Sequence, residues 1–498
     1  MFLHRCHHKL IHRCLTALLL PPVLSVCLSG ISGVSLPVSA ASEDSFQKAA
    51  DERKLLPIQS NDTENWPEGP EIGAEAAILM DINTGSILYA KNIHEHLYPA
   101  STTKILTCLL AVENAKLSDE VVFSDNAVHS VPSGGSNMGM DAGQSLPLEE
   151  CLYGIMVGSA NEAANAVAEH VAGSIPAFAQ MMNARAKELG CQDSHFANAN
   201  GLFDKNHYTS AYDLATIAGT FFKNELLCKI ADTPTYHFTP SAGQPDDFYL
   251  HNKHKLINGD ISYDGIIGGK TGYTDEARET LVTCAERNGM KLVCVILKEE
   301  SPAQFTDTTT LFDYGFNNFQ AVNVASQDTD YIPDNSSFFN SDYNIFGTSG
   351  AVLSINSGDY IILPKNATIK DTKTSVTYNT DSADANAVAQ ICFTYNGISV
   401  GSADVDAVAG NPDAAAESSS SSSALTPSAG NSNTVYLNIR LVIAGICLIA
   451  GIIILITVLH AVTSSYHFEG SRKDRRRFRR RKRETRKKGF GFQDHSSL

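Results

Sequence analysis

Three short strings hold the residues of this chain that best suit nucleophilic chemistry. They contain Ser101 and Lys104 in "YPASTTKILT", Ser159 and Asn161 in "GSAN", and Lys270 in "GGKTGYT". Ser101 and Lys104 are three positions apart, so on a helix they share one face and the amine can reach the hydroxyl. A serine becomes an effective nucleophile when a neighbouring base takes its proton. The first string therefore predicts a nucleophile and its base.

The proposed base must be neutral to accept a proton. Burial lowers the pKa of a lysine, and a second cation nearby lowers it further. Lys270 is our candidate for that second cation. Ser101 is also predicted at a helix N-terminus, where free N–H groups and the helix dipole favour developing negative charge.

The other two strings suit substrate binding. "GGKTGYT" predicts a strand, whose edge can pair with an extended peptide while Lys270 and Thr271 contact its terminal carboxylate. Ser159 lies in a break between two predicted helices, where its hydroxyl can relay a proton and the Asn161 amide can hold a peptide bond. Each string alone also fits a solvated helix start, a turn or a surface hairpin. All three in this order, each at the edge of an element, favour an active site.

The elements around these strings indicate an α+β fold. "AEAAILMDINTGSILYAKN" predicts a hairpin around an Asn-Thr-Gly turn, and helical patterns follow from "TTKILTCLLAVENAKL" to "IPAFAQMMNARAKELG". Strand patterns return in "DGIIGGKTGYT", "RETLVTCAE" and "KLVCVILK". Strands first, helices next and strands last predict one antiparallel sheet whose early and late strands pair, with helices packed on it.

The three strings and the text between them resemble the serine penicillin-binding proteins. "SNMGMDAGQSLPLEECLYGIMVGSAN" and "FANANGLFDKNHYTSAYDLATIA" are similar to the low-molecular-mass D-alanyl-D-alanine carboxypeptidases. The similarity covers about residues 72–320. It implies a beta-lactamase/transpeptidase-like domain, an antiparallel sheet flanked by helices, that acts on peptidoglycan stem peptides and is inhibited covalently by β-lactams.

The resemblance also implies a role for each site residue. Ser101 would be the acylated nucleophile and Lys104 its proton acceptor, Ser159 would shuttle a proton, and Asn161 would position the substrate. Lys270 and Thr271, in the strand that continues through Gly272 and Tyr273, would bind the substrate carboxylate. The backbone N–H groups of Ser101 and Tyr273 would form the oxyanion hole. No metal or cofactor is implied, and the sixteen histidines form no HExxH spacing.

This chain departs from the family pattern at two places. Arg278 in "DEARETLV" occupies a position where the family usually has a small residue, commonly Gly. Its side chain either touches the substrate groove or points to solvent. The best-known members also end in an amphipathic helix, whereas this chain ends in a predicted membrane span and a basic tail.

Both ends of the chain predict a membrane-anchored protein of the outer face. The N-terminus has basic residues and an apolar run over Leu15–Leu28, and Val38 and Ala40 suit cleavage by signal peptidase after residue 40. An uncleaved anchor is the alternative, but Pro21 and Pro22 interrupt the run.

Near the other end, Leu441–Leu459 holds 19 residues without charge, a helix of about 28 Å. Between Arg472 and Lys488 there are 13 Lys and Arg residues, in a chain whose net charge is −16. Such a block next to a span faces the cytoplasm and anionic lipid, so we expect no nucleic-acid binding.

These observations predict seven segments. They are a signal peptide at residues 1–40, a polar linker at 41–70, the catalytic domain at 71–320, a small all-β domain at 321–408, a Ser-rich stalk at 409–436, a transmembrane helix at 441–460 and a cytoplasmic tail at 461–498. Seven of the eleven cysteines would then lie outside the cell, with no CxxC pair. They predict thiols rather than a disulfide framework, with Cys284 and Cys294 on opposite faces of a hairpin. The oligomeric state stays open.

The function that the resemblance implies is a serine-type D-Ala-D-Ala carboxypeptidase. A DD-endopeptidase or transpeptidase on the same scaffold is the nearest alternative, because the three strings are common to all of them. A β-lactamase is less favoured, since only Glu162 offers itself as a second carboxylate to activate water. A wall-binding protein with a degenerate site is disfavoured by the presence of all four polar residues Ser101, Lys104, Ser159 and Lys270.

Overall fold

A computed structural model describes residues 43–327, 353–378 and 387–407. The predicted signal peptide, stalk, transmembrane helix and tail all lie outside these residues. Within the described ranges, no helix combines the length and apolarity needed to cross a membrane.

Ten helices and fifteen strands are found in the described residues. The helices are α1 Glu43–Lys54, α2 Lys104–Asn114, α3 Asp125–His129, α4 Leu148–Val157, α5 Asn161–Ala172, α6 Ile175–Glu188, α7 Ala211–Phe222, α8 Glu225–Ala231, α9 Lys255–Asn258 and α10 Ala303–Asn318. The strands are β1 Ala76–Asp81, β2 Ile87–Lys91, β3 Glu120–Val122, β4 Ser145–Pro147, β5 Thr235–Phe238, β6 Phe248–His251, β7 Ile266–Thr274, β8 Arg278–Arg287, β9 Met290–Glu299, β10 Phe319–Asn323, β11 Leu353–Ile355, β12 Tyr360–Pro364, β13 Lys373–Tyr378, β14 Ala387–Tyr395 and β15 Ile398–Ala407.

The central sheet has five antiparallel strands in the order β2-β1-β9-β8-β7. The early strand β1 pairs with the late strand β9, with Ala77 opposite Ile296, so the predicted topology is confirmed. β1 and β2 form the predicted hairpin, and Gly85 of its turn has φ +70°, a conformation that glycine adopts at little cost. β7 lies at the edge of this sheet, and among the described residues no strand pairs with its outer side.

The sheet has an apolar core on each face. Helices α2, α4, α5 and α7 cover one face, and α10 with the later strands covers the other. Successive residues of a strand point to opposite faces. Cys284 therefore packs in the first core and Cys294 in the second, as the hairpin register predicts. Both thiols are buried and free.

Residues 41–70 are more than the predicted polar linker. They contain α1 and a short 3₁₀ turn, Gln59–Asp62, and they bury Ala50 and Trp66. The Arg53 guanidinium donates to the Gly73 carbonyl at 2.8 Å, which fastens α1 to the domain. A few apolar and ionic contacts are enough to fix a helix of polar composition, so composition alone misled the sequence-based prediction.

The described part of residues 321–408 consists of strands and one 3₁₀ turn. β10 pairs with β12, and β11, β15, β14 and β13 form a four-stranded sheet. Their apolar side chains join the α10 core of the central sheet. Trp66 lies at this junction, with its ring centroid 5.0 Å from Phe319 and 6.2 Å from Tyr395. The strands thus share a core with the preceding domain.

Candidate active site

Ser101 lies in a 3₁₀ turn, Ala100–Thr103, that leads directly into α2. The preceding Ala100 has φ +48°, a left-handed conformation that costs an L-residue about 1–2 kcal/mol. Strain of this kind persists when the surroundings fix the backbone. The turn presents a half-buried serine at the start of a buried helix, as the sequence predicts.

Lys104 is fully buried and lies among hydrogen-bond partners. Its Nζ is 2.8 Å from Ser101 Oγ, 2.7 Å from Asn161 Oδ1 and 2.5 Å from the Asn200 carbonyl oxygen. Burial, and secondly the charge of Lys270, hold the pKa of Lys104 well below its usual value. A neutral amine at hydrogen-bond distance from a hydroxyl is the arrangement that a general base requires.

Ser159 and Asn161 lie at the predicted break between helices. α4 ends at Val157 and α5 begins at Asn161, and Ser159 between them has φ +59°. Ser159 Oγ accepts a hydrogen bond from Lys270 Nζ at 3.1 Å. Both side chains are nearly inaccessible to solvent.

Lys270 is held on the edge strand β7 and faces the same cluster. It is buried, and its Nζ also donates to the Thr271 carbonyl at 2.8 Å. Burial, followed by the charge of Lys253, lowers the pKa of Lys270 to about 7. The structure therefore brings the three strings together in two linked pairs, Ser101–Lys104 and Ser159–Lys270, with Asn161 hydrogen-bonded to Lys104.

Gly272 lets β7 pass close to the nucleophile turn. A Cβ at this position would lie 2.8 Å from the Ser101 backbone nitrogen. Thr280 of β8 fixes the same contact, because its Oγ1 donates to the Pro99 carbonyl at 2.9 Å. Thr271 is half-buried on β7, and the neighbouring Tyr273 side chain is 50% exposed at the rim.

The structure adds Asn200 and Gly201 to the site, and neither was among the candidate residues. Asn200 offers Lys104 its backbone carbonyl, and its side chain donates to Asn165 Oδ1 at 2.9 Å. Gly201 follows with φ +82°, and a Cβ there would overlap the Ala100 carbonyl oxygen and lie 3.0 Å from the Ser101 nitrogen. The only signal for this segment in the sequence is the Asn-Ala-Asn-Gly string within one of the family-like stretches.

Glu162 is engaged in holding a loop. Its Oε1 accepts from the backbone N–H groups of Met138 at 2.6 Å and Gly139 at 3.2 Å. Burial raises the pKa of its carboxyl group. These contacts give Glu162 a structural role in holding the backbone of Met138 and Gly139.

Arg278 is held by neighbouring side chains rather than free in solvent. Its Nη2 and Nε lie 2.7 and 3.0 Å from Glu300 Oε2, and its Nη1 donates to the Tyr273 hydroxyl at 3.1 Å.

Within the described ranges, no group of three His, Cys, Asp or Glu residues suits a metal ion.

Comparisons with known proteins identify the family. Residues 63–301 match the family model of peptidase S11, D-alanyl-D-alanine carboxypeptidase. D-alanyl-D-alanine carboxypeptidase DacF of Bacillus subtilis is 36% identical over 253 residues, which cover 50% of this chain and 63% of that protein. D-alanyl-D-alanine carboxypeptidase DacB2 of Mycobacterium tuberculosis is 32% identical over 256 residues, which cover 50% of this chain and 84% of that protein.

Solved structures agree on the fold. Penicillin binding protein 5 from Haemophilus influenzae superposes with a TM-score of 0.55 at 23% identity, over 68% of this chain and 98% of that one. At that identity the likeness is one of fold alone. Family membership follows from the sequence relatives, of which the Mycobacterium protein is matched over most of its length: the chain belongs to the D-alanyl-D-alanine carboxypeptidase family of serine peptidases, peptidase S11.

Proposed function

We propose that this protein is a serine-type D-Ala-D-Ala carboxypeptidase that removes the terminal D-alanine from peptidoglycan stem pentapeptides. The observation that carries the proposal is the buried Lys104 amine, 2.8 Å from Ser101 Oγ and depressed in pKa by burial and by Lys270. Family membership supports the same chemistry.

Acylation is proposed to begin at Ser101. Its Oγ attacks the carbonyl carbon between the two terminal D-alanines while neutral Lys104 takes the hydroxyl proton. The negative charge that forms on the carbonyl oxygen is stabilised by the backbone N–H groups of Ser101 and Tyr273. The Ser159 hydroxyl, bonded to Lys270, passes a proton to the leaving amine, and D-alanine departs from the ester that remains on Ser101.

Substrate binding uses the edge strand. The stem peptide pairs with β7, whose close approach to Ser101 is made possible by Gly272. Lys270 and Thr271 bind the terminal carboxylate, and Asn161 holds the peptide bond. Because the carboxylate leaves with D-alanine, the acyl-enzyme loses this anchor before hydrolysis.

Deacylation needs a base that has lost the proton it took during acylation. Once its extra proton has passed through Ser159 to the departing amine, Lys104 can take a proton from water as that water attacks the ester. The products are a stem shortened by one residue and a regenerated Ser101 hydroxyl. A β-lactam presents a carbonyl and a carboxylate in a similar arrangement, so we propose that it acylates Ser101 in the same way.

We also propose that the enzyme is anchored in the cell membrane. The apolar residues 441–460 would cross it once, the basic tail would lie in the cytoplasm, and the catalytic domain would face the wall. The support for this topology is the distribution of apolar and basic residues along the sequence.

Full-length protein in detergent, mixed with a pentapeptide stem, tests the proposal. Mass spectrometry is expected to show loss of one alanine with the wild type and an intact stem with Ser101→Ala. An intact stem in both samples would overturn the carboxypeptidase assignment. Cleavage of a cross-linked muropeptide instead would point to an endopeptidase, and transfer of the stem to an added amino acid would point to a transpeptidase.

A further inference from the structure

Helix α1 contacts the hairpin formed by β7, the proposed substrate strand, and β8. Phe46 and Arg53 of α1 are seven residues apart and so lie on one face, two turns from each other. The Arg278 guanidinium lies over the Phe46 ring, 3.9 Å from its centroid. Arg53 Nη2 lies 3.3 Å from Glu300 Oε1, the carboxylate that also binds Arg278. Phe46 thus contacts Arg278 directly, and Arg53 contacts it through the Glu300 carboxylate.

Arg278 occupies a backbone position that favours glycine. Thr274 of β7 pairs with Arg278 of β8, and the three residues between them make the loop. Arg278, the first residue after this loop, has φ +54°, a left-handed conformation that glycine adopts at little cost. An arginine held there must be fixed by contacts of its side chain. The contacts available are those to Glu300, to Phe46 and to Tyr273.

The same arginine reaches the substrate rim. Its Nη1 donates to the Tyr273 hydroxyl at 3.1 Å, and that hydroxyl donates to Asp275 Oδ1 at 3.0 Å. Tyr273 directly follows Gly272, and its backbone N–H is part of the proposed oxyanion hole. A shift of the hairpin would therefore move a group that must sit within a fraction of an ångström of the reacting carbonyl.

We propose that α1 is a positioning element for the substrate strand, and that Arg278 is the positioning residue through which it acts. The inference rests on the proposed function of β7 and Tyr273. Phe46 and Glu300 hold the guanidinium on two sides, and the guanidinium holds the end of β7. The segment that begins just after the predicted cleavage site thus becomes part of the active-site support.

The test compares acylation of full-length variants by a fluorescent penicillin and their kcat and KM for the pentapeptide. Phe46→Ala is expected to lower the second-order acylation constant about fivefold, the effect of losing one cation–π contact of moderate strength. Phe46→Trp is expected to stay within about twofold of wild type, because indole is the best cation–π partner. Lys48→Ala, on the exposed face of α1, is the matched control and should act like wild type.

A double-mutant cycle separates positioning from general destabilisation. Arg278→Gly relieves the backbone conformation but loses the contacts, so it too should acylate about fivefold more slowly. Phe46→Ala combined with Arg278→Gly should be no slower than Arg278→Gly alone, because the two residues act through one contact. Arg278→Gly also tests the inference if Phe46→Ala fails to fold.

Three results would overturn the inference. They are a Phe46→Ala rate equal to that of Lys48→Ala, a double variant whose losses multiply, and a Phe46→Trp enzyme as slow as Phe46→Ala. Failure of the proposed function looks different, since the wild type itself would then leave the stem intact, whether or not the penicillin acylates it.

Discussion

Adding one methyl group at Gly201 should disable the nucleophile turn. Gly201 has φ +82°, and a Cβ there would overlap the Ala100 carbonyl oxygen and lie 3.0 Å from the Ser101 nitrogen. Carbon atoms and their neighbours pack at about 3.5–4.0 Å. The overlap with the Ala100 carbonyl oxygen is the larger violation, so the backbone ahead of Ser101 must move by more than about 1 Å. A misplacement of about 1 Å at a reacting group costs on the order of 10²-fold in rate.

The effect of placing alanine in a left-handed backbone conformation must be separated from the effect of the steric clash. Gly173 has φ +77° at the end of α5, and a Cβ there would meet nothing within 4 Å. Gly173→Ala and Gly201→Ala should each lose about 1–2 kcal/mol of unfolding free energy from the backbone conformation. Gly201→Ala alone should lose further unfolding free energy through the steric clash. It alone should also acylate more slowly.

Stopped-flow acylation with a fluorescent penicillin and thermal unfolding of the same samples measure both effects. We expect Gly173→Ala to acylate like wild type and Gly201→Ala to be about a hundredfold slower. If Gly201→Ala acylated within about threefold of Gly173→Ala, the close contact would have no influence on Ser101, and the reasoning would be refuted.

The remaining predictions concern the titrating groups. Lys104→Ala should lower acylation by about 10²–10⁴-fold and Lys104→Arg should not rescue it, because a guanidinium stays charged and cannot accept the proton; rescue by Arg, measured with the same penicillin, would exclude the base role. Since the pKa of Lys270 is lowered to about 7, kcat/KM for the stem should fall as the pH rises through that value and the ammonium is lost. A stem ending in D-alaninamide, which has no carboxylate, should not show the fall. Burial lowers the pKa of His207 to about 4, so the unfolded chain binds more protons than the folded one below pH 6.5 and stability falls from there towards pH 4, by roughly 3 kcal/mol. Urea unfolding at pH 7 and pH 4 should show a smaller decrease for His207→Gln than for wild type, and equal decreases would contradict the assignment.

The part of the site that the sequence predicts is the part that is local. Ser101 and Lys104 are one helical turn apart, so their contact follows from spacing alone. The convergence of Lys270 with Ser159 depends on how the α4–α5 junction packs beside β7, which is distant in the sequence, and there the family resemblance supplied what spacing could not. Asn200 was missed because it contributes a backbone carbonyl, a group that every residue carries and that no side-chain pattern marks.

Two helices show the same limit in the fold. α1 has a polar sequence, and what fixes it are contacts such as the hydrogen bond from Arg53 to Gly73, 20 residues away. α10 follows the last strand of the central sheet, and its core residues, such as Phe305 and Phe312, become a helical face only when the sheet is present to cover them. The strands of the central sheet, whose alternation and turns are local, were predicted, whereas the short pairs β3–β4 and β5–β6 were not.

The position of Trp66 has a consequence for experiments. It is the only tryptophan of the chain, it is buried, and its indole N–H donates to the Leu88 carbonyl at 2.9 Å while its ring faces Phe319 and Tyr395. Its fluorescence therefore reports on one place alone, the seam where the β-strands meet the catalytic domain. Emission that shifts to longer wavelength before catalytic activity is lost would mean that this seam opens first, with no label needed to see it.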